Sequence, residues 1–105
     1  MKNIIITVFC FTTATSVLAE DEWLEKCGLL ANMSEIIMTG RQEGVPMEKY
    51  IESSRDFSEL YEINKKLVID AYEISRQSSK AMKKKTIEEY RDKTYLACLK
   101  FPKDK

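Results

Sequence analysis

The residues able to do chemistry are few and their types are restrictive. There are three cysteines, Cys10, Cys27 and Cys98, and no histidine at all. Without imidazole there is no Ser/His/Asp set, no Cys/His pair and no His-based metal cluster, and no Gly-rich phosphate loop stands in for them. Neighbouring carboxylates such as Glu88 and Glu89 diverge around a helix and so cannot act as a pair. Enzymatic chemistry is therefore not expected, and neither is a cofactor or a bound metal.

The cysteines have a second reading once the start of the chain is considered. Met1-Lys2-Asn3 is a short positive stretch, Ile4 to Phe11 an apolar run, and Val17-Leu18-Ala19 a small-residue cleavage site. That three-part order is the pattern of a secretory signal peptide. A spanning helix needs roughly 20 strongly apolar residues, and this stretch is shorter and rich in hydroxyl side chains. The expected organisation is a signal peptide over 1–19, cleaved after Ala19, and a single domain over 20–105 in the periplasm. Cys10 leaves with the signal. Cys27 and Cys98 then remain as an even pair in an oxidising compartment, where a disulfide is expected. A loop of that length, closed, is worth roughly 4 kcal/mol in the chain-entropy model. Closely spaced cysteines mark redox pairs, and these two are far apart in sequence, so a structural staple is the expectation.

The elements that must position these residues follow a helical period, and no stretch alternates as a strand does. From Asp21 to Arg41 one face carries Trp23, Cys27, Leu30, Ser34, Ile37 and Arg41, with Leu24, Ala31 and Met38 beside it. Gly44 predicts a stop, and Val45-Pro46-Met47 a restart into a short helix facing inward through Met47, Tyr50 and Ile51. Asp56 with Glu59 reads as a capping box. It opens a helix whose apolar arc takes in Phe57, Leu60, Tyr61, Ile63, Leu67, Val68, Ala71, Tyr72 and Ile74. After a break at Arg76 to Ser79, a last helix carries Ile87, Tyr90, Thr94, Cys98 and Phe101 inward. Its start is either Ser79 or Thr86, and Thr86 with Glu89 is the better capping signature. The expected fold is all-α, a small four-helix bundle stapled between its first and last helices.

Two surfaces are singled out. Leu29, Met33 and Ile36 recur at helical spacing off the main apolar face, as a partner surface or as the second side of a buried central helix. Arg76, Lys80, Lys83, Lys84 and Lys85 form a cationic patch with no acid between Glu73 and Glu88. It would meet an anionic lipid head group or an acidic partner, or else pack against acidic neighbours in the bundle. The patch belongs to a wider asymmetry: thirteen acids against six bases over Glu20–Ser75, four acids against ten bases over Arg76–Lys105. Asn64 and Arg41 interrupt apolar faces and call for partners, either within the fold, such as a helix end or a carboxylate for Arg41, or in a ligand.

Cys27-Gly28-x-Leu30-Ala31, Ile37-Met38, Arg41-Gln42-x-Gly44-Val45, Val68-Ile69-Asp70-Ala71-Tyr72-Glu73 and Tyr95-Leu96-Ala97-Cys98 together form a recognisable pattern. It resembles that of small exported two-cysteine helical proteins of Gram-negative bacteria and their phages, with Arg-Gln-x-Gly and Tyr-x-x-Cys the most specific pieces. The resemblance implies a periplasmic address. No activity attaches to that group, so it transfers no site residues. The leading expectation is a non-enzymatic periplasmic protein that binds another protein of the envelope, as an inhibitor or immunity-type protein would. The rivals are an envelope-surface protein holding anionic lipid through the basic patch, and a periplasmic holdase chaperone. Nucleic acid is not an expected partner, since aromatic stacking motifs are missing. A membrane surface would be touched but not spanned.

Overall fold

The computed structural model describes residues 2–56 and 60–101, with side chains from Asp21 onward. Four helices run through it: α1 Lys2–Glu43, α2 Met47–Ser54, α3 Tyr61–Tyr72 and α4 Lys80–Lys100. The fold is an all-α bundle with no strand among the described residues. α1 lies against both α3 and α4, and α2 closes onto α3. α1 and α4 are antiparallel: Cys27 is bonded to Cys98, Glu35 meets Arg91 at 2.9 Å, and Gln42 meets Lys83.

The backbone of α1 is helical from Lys2, so it passes through Ala19 and Glu20 rather than beginning at Asp21. The leader reading of residues 1–19 falls where side chains lie outside the described residues. At its other end α1 stops as Gly44 predicts. Gly44 has φ +89°, a left-handed conformation that glycine adopts without a Cβ penalty. Val45 N–H then donates to Gly40 O and Gly44 N–H to Arg41 O, which satisfies two terminal carbonyls in a Schellman arrangement. Pro46, with φ −62°, leads directly into α2.

Ile37 and Met38 of α1, Val68 and Ala71 of α3 and Tyr90 of α4 form the buried core. Met47, Tyr50, Ile51, Leu67, Tyr72, Ile74 and Ile87 pack around it. Along the α1–α4 seam the buried residues are small, Cys27, Ala31 and Ser34, which allows close helix approach. Ser34 Oγ donates back to Ala31 O at 2.7 Å, so its burial leaves no orphan hydroxyl. A core of this size is modest for a domain this small. The Cys27–Cys98 disulfide, closing a sequence separation of 71, therefore supplies a large share of the stability, roughly 4 kcal/mol.

Several expected boundaries and faces differ. α4 begins at Lys80, not near Thr86: Ser79 is extended and its hydroxyl accepts from Met82 N–H at 3.1 Å. Thr86 and Glu89 lie inside the helix because four lysines and an alanine upstream are good helix formers. α3 begins at Tyr61. Asp56 sits in the turn after α2, while Glu59 of the expected capping box and Phe57 of the expected apolar arc lie outside the described residues. Leu24, Ile63 and Phe101, expected inward, are exposed, and Trp23 and Leu67 are only half-buried. α3 is only 12 residues long, so the seam it presents is narrower than its apolar arc. Phe101 is already past the end of α4.

Candidate functional site

The Leu29, Met33 and Ile36 stripe is one wall of a concave apolar groove of about 350 Å3 between α1, α2 and α3. Leu29 is 53% and Ile36 61% exposed, while Met33 is half-buried. The alternative of a first helix buried on both sides is thus not what the bundle does. Ile37 continues the α1 wall, Tyr50 forms the α2 wall, Leu60 sits at the approach to α3, and Ser53 and Asn64 supply the polar edge.

Two local arrangements hold the groove open at this width. Gly40 has no side chain, and a Cβ there would strike the Tyr50 ring, so the phenol lies against the α1 backbone and donates to Ile36 O at 3.4 Å. Burial, and then the negative charge of Glu43, raise the Tyr50 pKa, so its hydroxyl stays a neutral donor. On the far wall Asn64 Nδ2 donates to Ser54 Oγ, which itself donates to Tyr50 O. That bond satisfies the polar residue that interrupts the α3 arc and ties α3 to α2. The groove offers apolar contact, one amide and hydroxyls. Such a surface suits docking of apolar side chains with a polar rim.

The cationic patch is divided by the fold. Arg76 Nε at 3.3 Å and Lys83 Nζ at 2.7 Å both donate to Gln42 O, at the carbonyl end of α1. Those two serve as a C-terminal cap, where positive charge also complements the helix dipole. Lys80, Lys84 and Lys85 remain exposed, and none is in an ion pair among the described residues. Lys80, Lys83 and Lys84 line one side of an open groove of about 870 Å3 whose other side carries Glu35 and Glu43 of α1. The two patch residues that the bundle holds are thus held by a backbone carbonyl, and none of the five is paired with an acidic side chain among the described residues.

What the sequence reading did not single out is the role of Gln42. Its side chain is fully buried, donates to Ser75 O at 3.2 Å and accepts from Gln77 N–H at 2.7 Å. Arg41 Nε donates to Ile74 O at 2.9 Å, with its guanidinium 5.2 Å from the Tyr72 ring centre, and Tyr72 in turn donates to Val45 O. The Arg-Gln-x-Gly run is therefore a latch between the end of α1 and the α3–α4 connection. Arg41 capping a helix end matches the expectation for it. Gln42 was missed because a helix-interior glutamine next to an arginine reads as solvated surface. Its position one turn past the buried Met38 was the available signal.

Cys27 and Cys98, buried as a disulfide, hold this assembly at its opposite end. Among the described residues no group of three or more His, Cys, Asp or Glu side chains converges as a metal site would. No helix among them is long and apolar enough to cross a membrane. No protein-family model, curated protein or solved structure matches this chain.

Proposed function

We propose that this chain is a non-enzymatic exported protein that acts by binding another protein, with the α1–α2–α3 groove as its docking surface. One observation carries the reading: Leu29 and Ile36 stay exposed beside Tyr50 and Leu60 in a concave apolar surface whose polar edge is already organised. Exposed apolar groups gathered in one concavity, rather than scattered singly, are the usual mark of an interaction surface. The leader-like residues 1–19 and the buried disulfide support an oxidising, exported setting. Periplasm is the compartment that the resemblance favours, and an inhibitor or immunity-type role is the form of binding proposed there.

A photo-crosslinking residue at Ile36, compared with one at Glu62, tests this in the full chain expressed with its own first 19 residues and kept oxidised. One discrete stoichiometric adduct from the exported fraction at position 36, absent at 62, is the expected result. Many weak adducts would instead favour a holdase. Ile36→Glu should keep the helical circular dichroism and melting temperature while abolishing that adduct. If Ile36→Glu unfolds the protein, the stripe is core and the docking surface is lost.

A further inference from the structure

We infer that the α1–α4 flank is an interface between two copies of this chain, packed about a two-fold axis that runs along the bundle. The open groove on that flank carries opposite charges on its two banks: Glu35 and Glu43 on α1, and Lys80, Lys83 and Lys84 on α4. Two of the five are already engaged, Glu35 by Arg91 and Lys83 by the Gln42 carbonyl. Glu43, Lys80 and Lys84 are exposed and in no ion pair among the described residues.

The free chain holds these three at some cost. Lys80 and Lys84 are like charges at i,i+4, on the same side of α4. Glu43 is the last residue of α1 and Lys80 the first of α4, so each carries the sign that its own helix dipole disfavours. No acid in the first turn of α4 offsets Lys80. Arg76 and Lys83, at the same end of the bundle, are turned to the Gln42 carbonyl rather than to Glu43.

The arrangement of the banks says what would relieve them. An acidic partner would satisfy Lys80 and Lys84 but repel Glu43, and a basic partner would do the reverse. The fitting partner sets cations against α1 and acids against α4, and a second copy of this chain carries both. The contacts Cys27–Cys98, Glu35–Arg91 and Gln42–Lys83 keep one antiparallel register along the seam, so Glu43 stands level with the first turns of α4. A two-fold axis over the groove, parallel to the helices, keeps every height and exchanges the banks. Glu43 of each copy then comes opposite Lys80 and Lys84 of the other, twice by symmetry. Glu88, the acid on the α4 bank, comes level with Thr39. A two-fold running across the helices would instead set acid on acid, so the charges select one axis. Between the banks lie Thr39, Ala81 and the half-buried Ile87. They are small or apolar, which gives the contact an apolar centre and a charged rim.

The test is sedimentation velocity over a concentration series, on the full chain expressed with its own first 19 residues and kept oxidised. A monomer–dimer equilibrium is expected. It should weaken as salt rises from about 0.01 M to about 1 M, which shortens the screening length from about 30 Å to about 3 Å. Losing one exposed ion pair is about a threefold effect. The symmetry counts each substitution twice and reversal adds repulsion, so Glu43→Lys or Lys84→Glu should raise the dimer Kd by on the order of tenfold to a hundredfold. Both reversals suit the dipole of their own helix, so circular dichroism and Tm should show a folded protein. Lys66→Glu, on α3, should leave the Kd unchanged. Mixing Glu43→Lys with Lys84→Glu should restore dimerisation, because each introduced charge then faces its opposite in both halves of the contact. A Glu43–Lys84 pair within one chain would not be restored by mixing. A monomer at every concentration, reversals without effect, or a mixture as weak as its components would overturn the inference. So would a dimer dissolved by Ile36→Glu and indifferent to both reversals, which would place the contact at the α1–α2–α3 groove.

Discussion

Gln42 offers the sharpest check on how the bundle is held. Its side-chain amide bridges Ser75 O and Gln77 N–H across 33 and 35 residues of sequence. Gln42→Met keeps the volume and the apolar contact with Met38 but removes both bonds. A buried polar group left without a partner costs about 1–3 kcal/mol, and water can reach exposed Ser75 and half-buried Gln77 in part. The expected loss is therefore about 1–2 kcal/mol. Gln42→Ala should lose about 2–4 kcal/mol, because the vacated volume adds a cavity contribution. Neither substitution touches the Gln42 backbone carbonyl, so the caps from Arg76 and Lys83 remain as an internal control. Urea and thermal unfolding of the oxidised protein read the effect, with each kcal/mol moving Tm by about 4–8 °C in a domain of this size. Hydrogen exchange should report faster exchange at the Gln77 amide in both variants. A Gln42→Met protein within about 0.5 kcal/mol of wild type, with Gln77 still protected, would refute the latch as an energetic element.

Reducing the Cys27–Cys98 bridge, or replacing both cysteines by serine, should lower stability by roughly 4 kcal/mol in the chain-entropy account, measured by denaturant unfolding with and without reductant. A change below about 1 kcal/mol would mean that the helical core alone holds the fold. Tyr90 is buried and donates to Leu67 O at 2.6 Å; burial first, and then the charge of Asp70, raise its phenol pKa well above the ordinary 10.0. The folded state thus keeps a proton that the unfolded state releases, so the stabilisation is complete below pH 10.0 and declines as pH rises beyond it. Tyr90→Phe should be less stable at neutral pH by about 1 kcal/mol, with the gap narrowing in alkali. Parallel stability curves above that pH would contradict the assignment.

Much of this architecture is legible along the chain because it depends on short-range rules. The stop at Gly44 needs only the knowledge that a left-handed residue ends a helix without strain, and the structure has that φ of +89°. The inward phase of Cys27, Ala31, Ser34 and Met38 follows from the helical period, since α1 buries them against two neighbours. The pairing of Cys27 with Cys98 follows from arithmetic, two cysteines remaining after the expected leader. The Leu29, Met33 and Ile36 stripe was visible for the same reason, as a second period on the same helix.

What periodicity could not supply is which parts of each apolar arc find a partner. Ile63 and Leu24 carry the same hydrophobicity as Val68 and Met38, yet they are exposed, because burial depends on where a neighbouring helix stops. The start of α4 turned on whether Ser79 or Thr86 caps it. The extended Ser79 backbone and the Lys83 contact with the end of α1 set the answer, and that contact spans 41 residues. The same long-range docking divided the basic patch, turning Arg76 and Lys83 into caps and leaving Lys80, Lys84 and Lys85 to solvent. Gln42 became a core residue only because the α3–α4 connection brings the Ser75 carbonyl and the Gln77 amide to it. A side chain's type and period are local properties, whereas its partners are set by the approach of segments remote in sequence, and here that approach decided the groove, the latch and the cationic end.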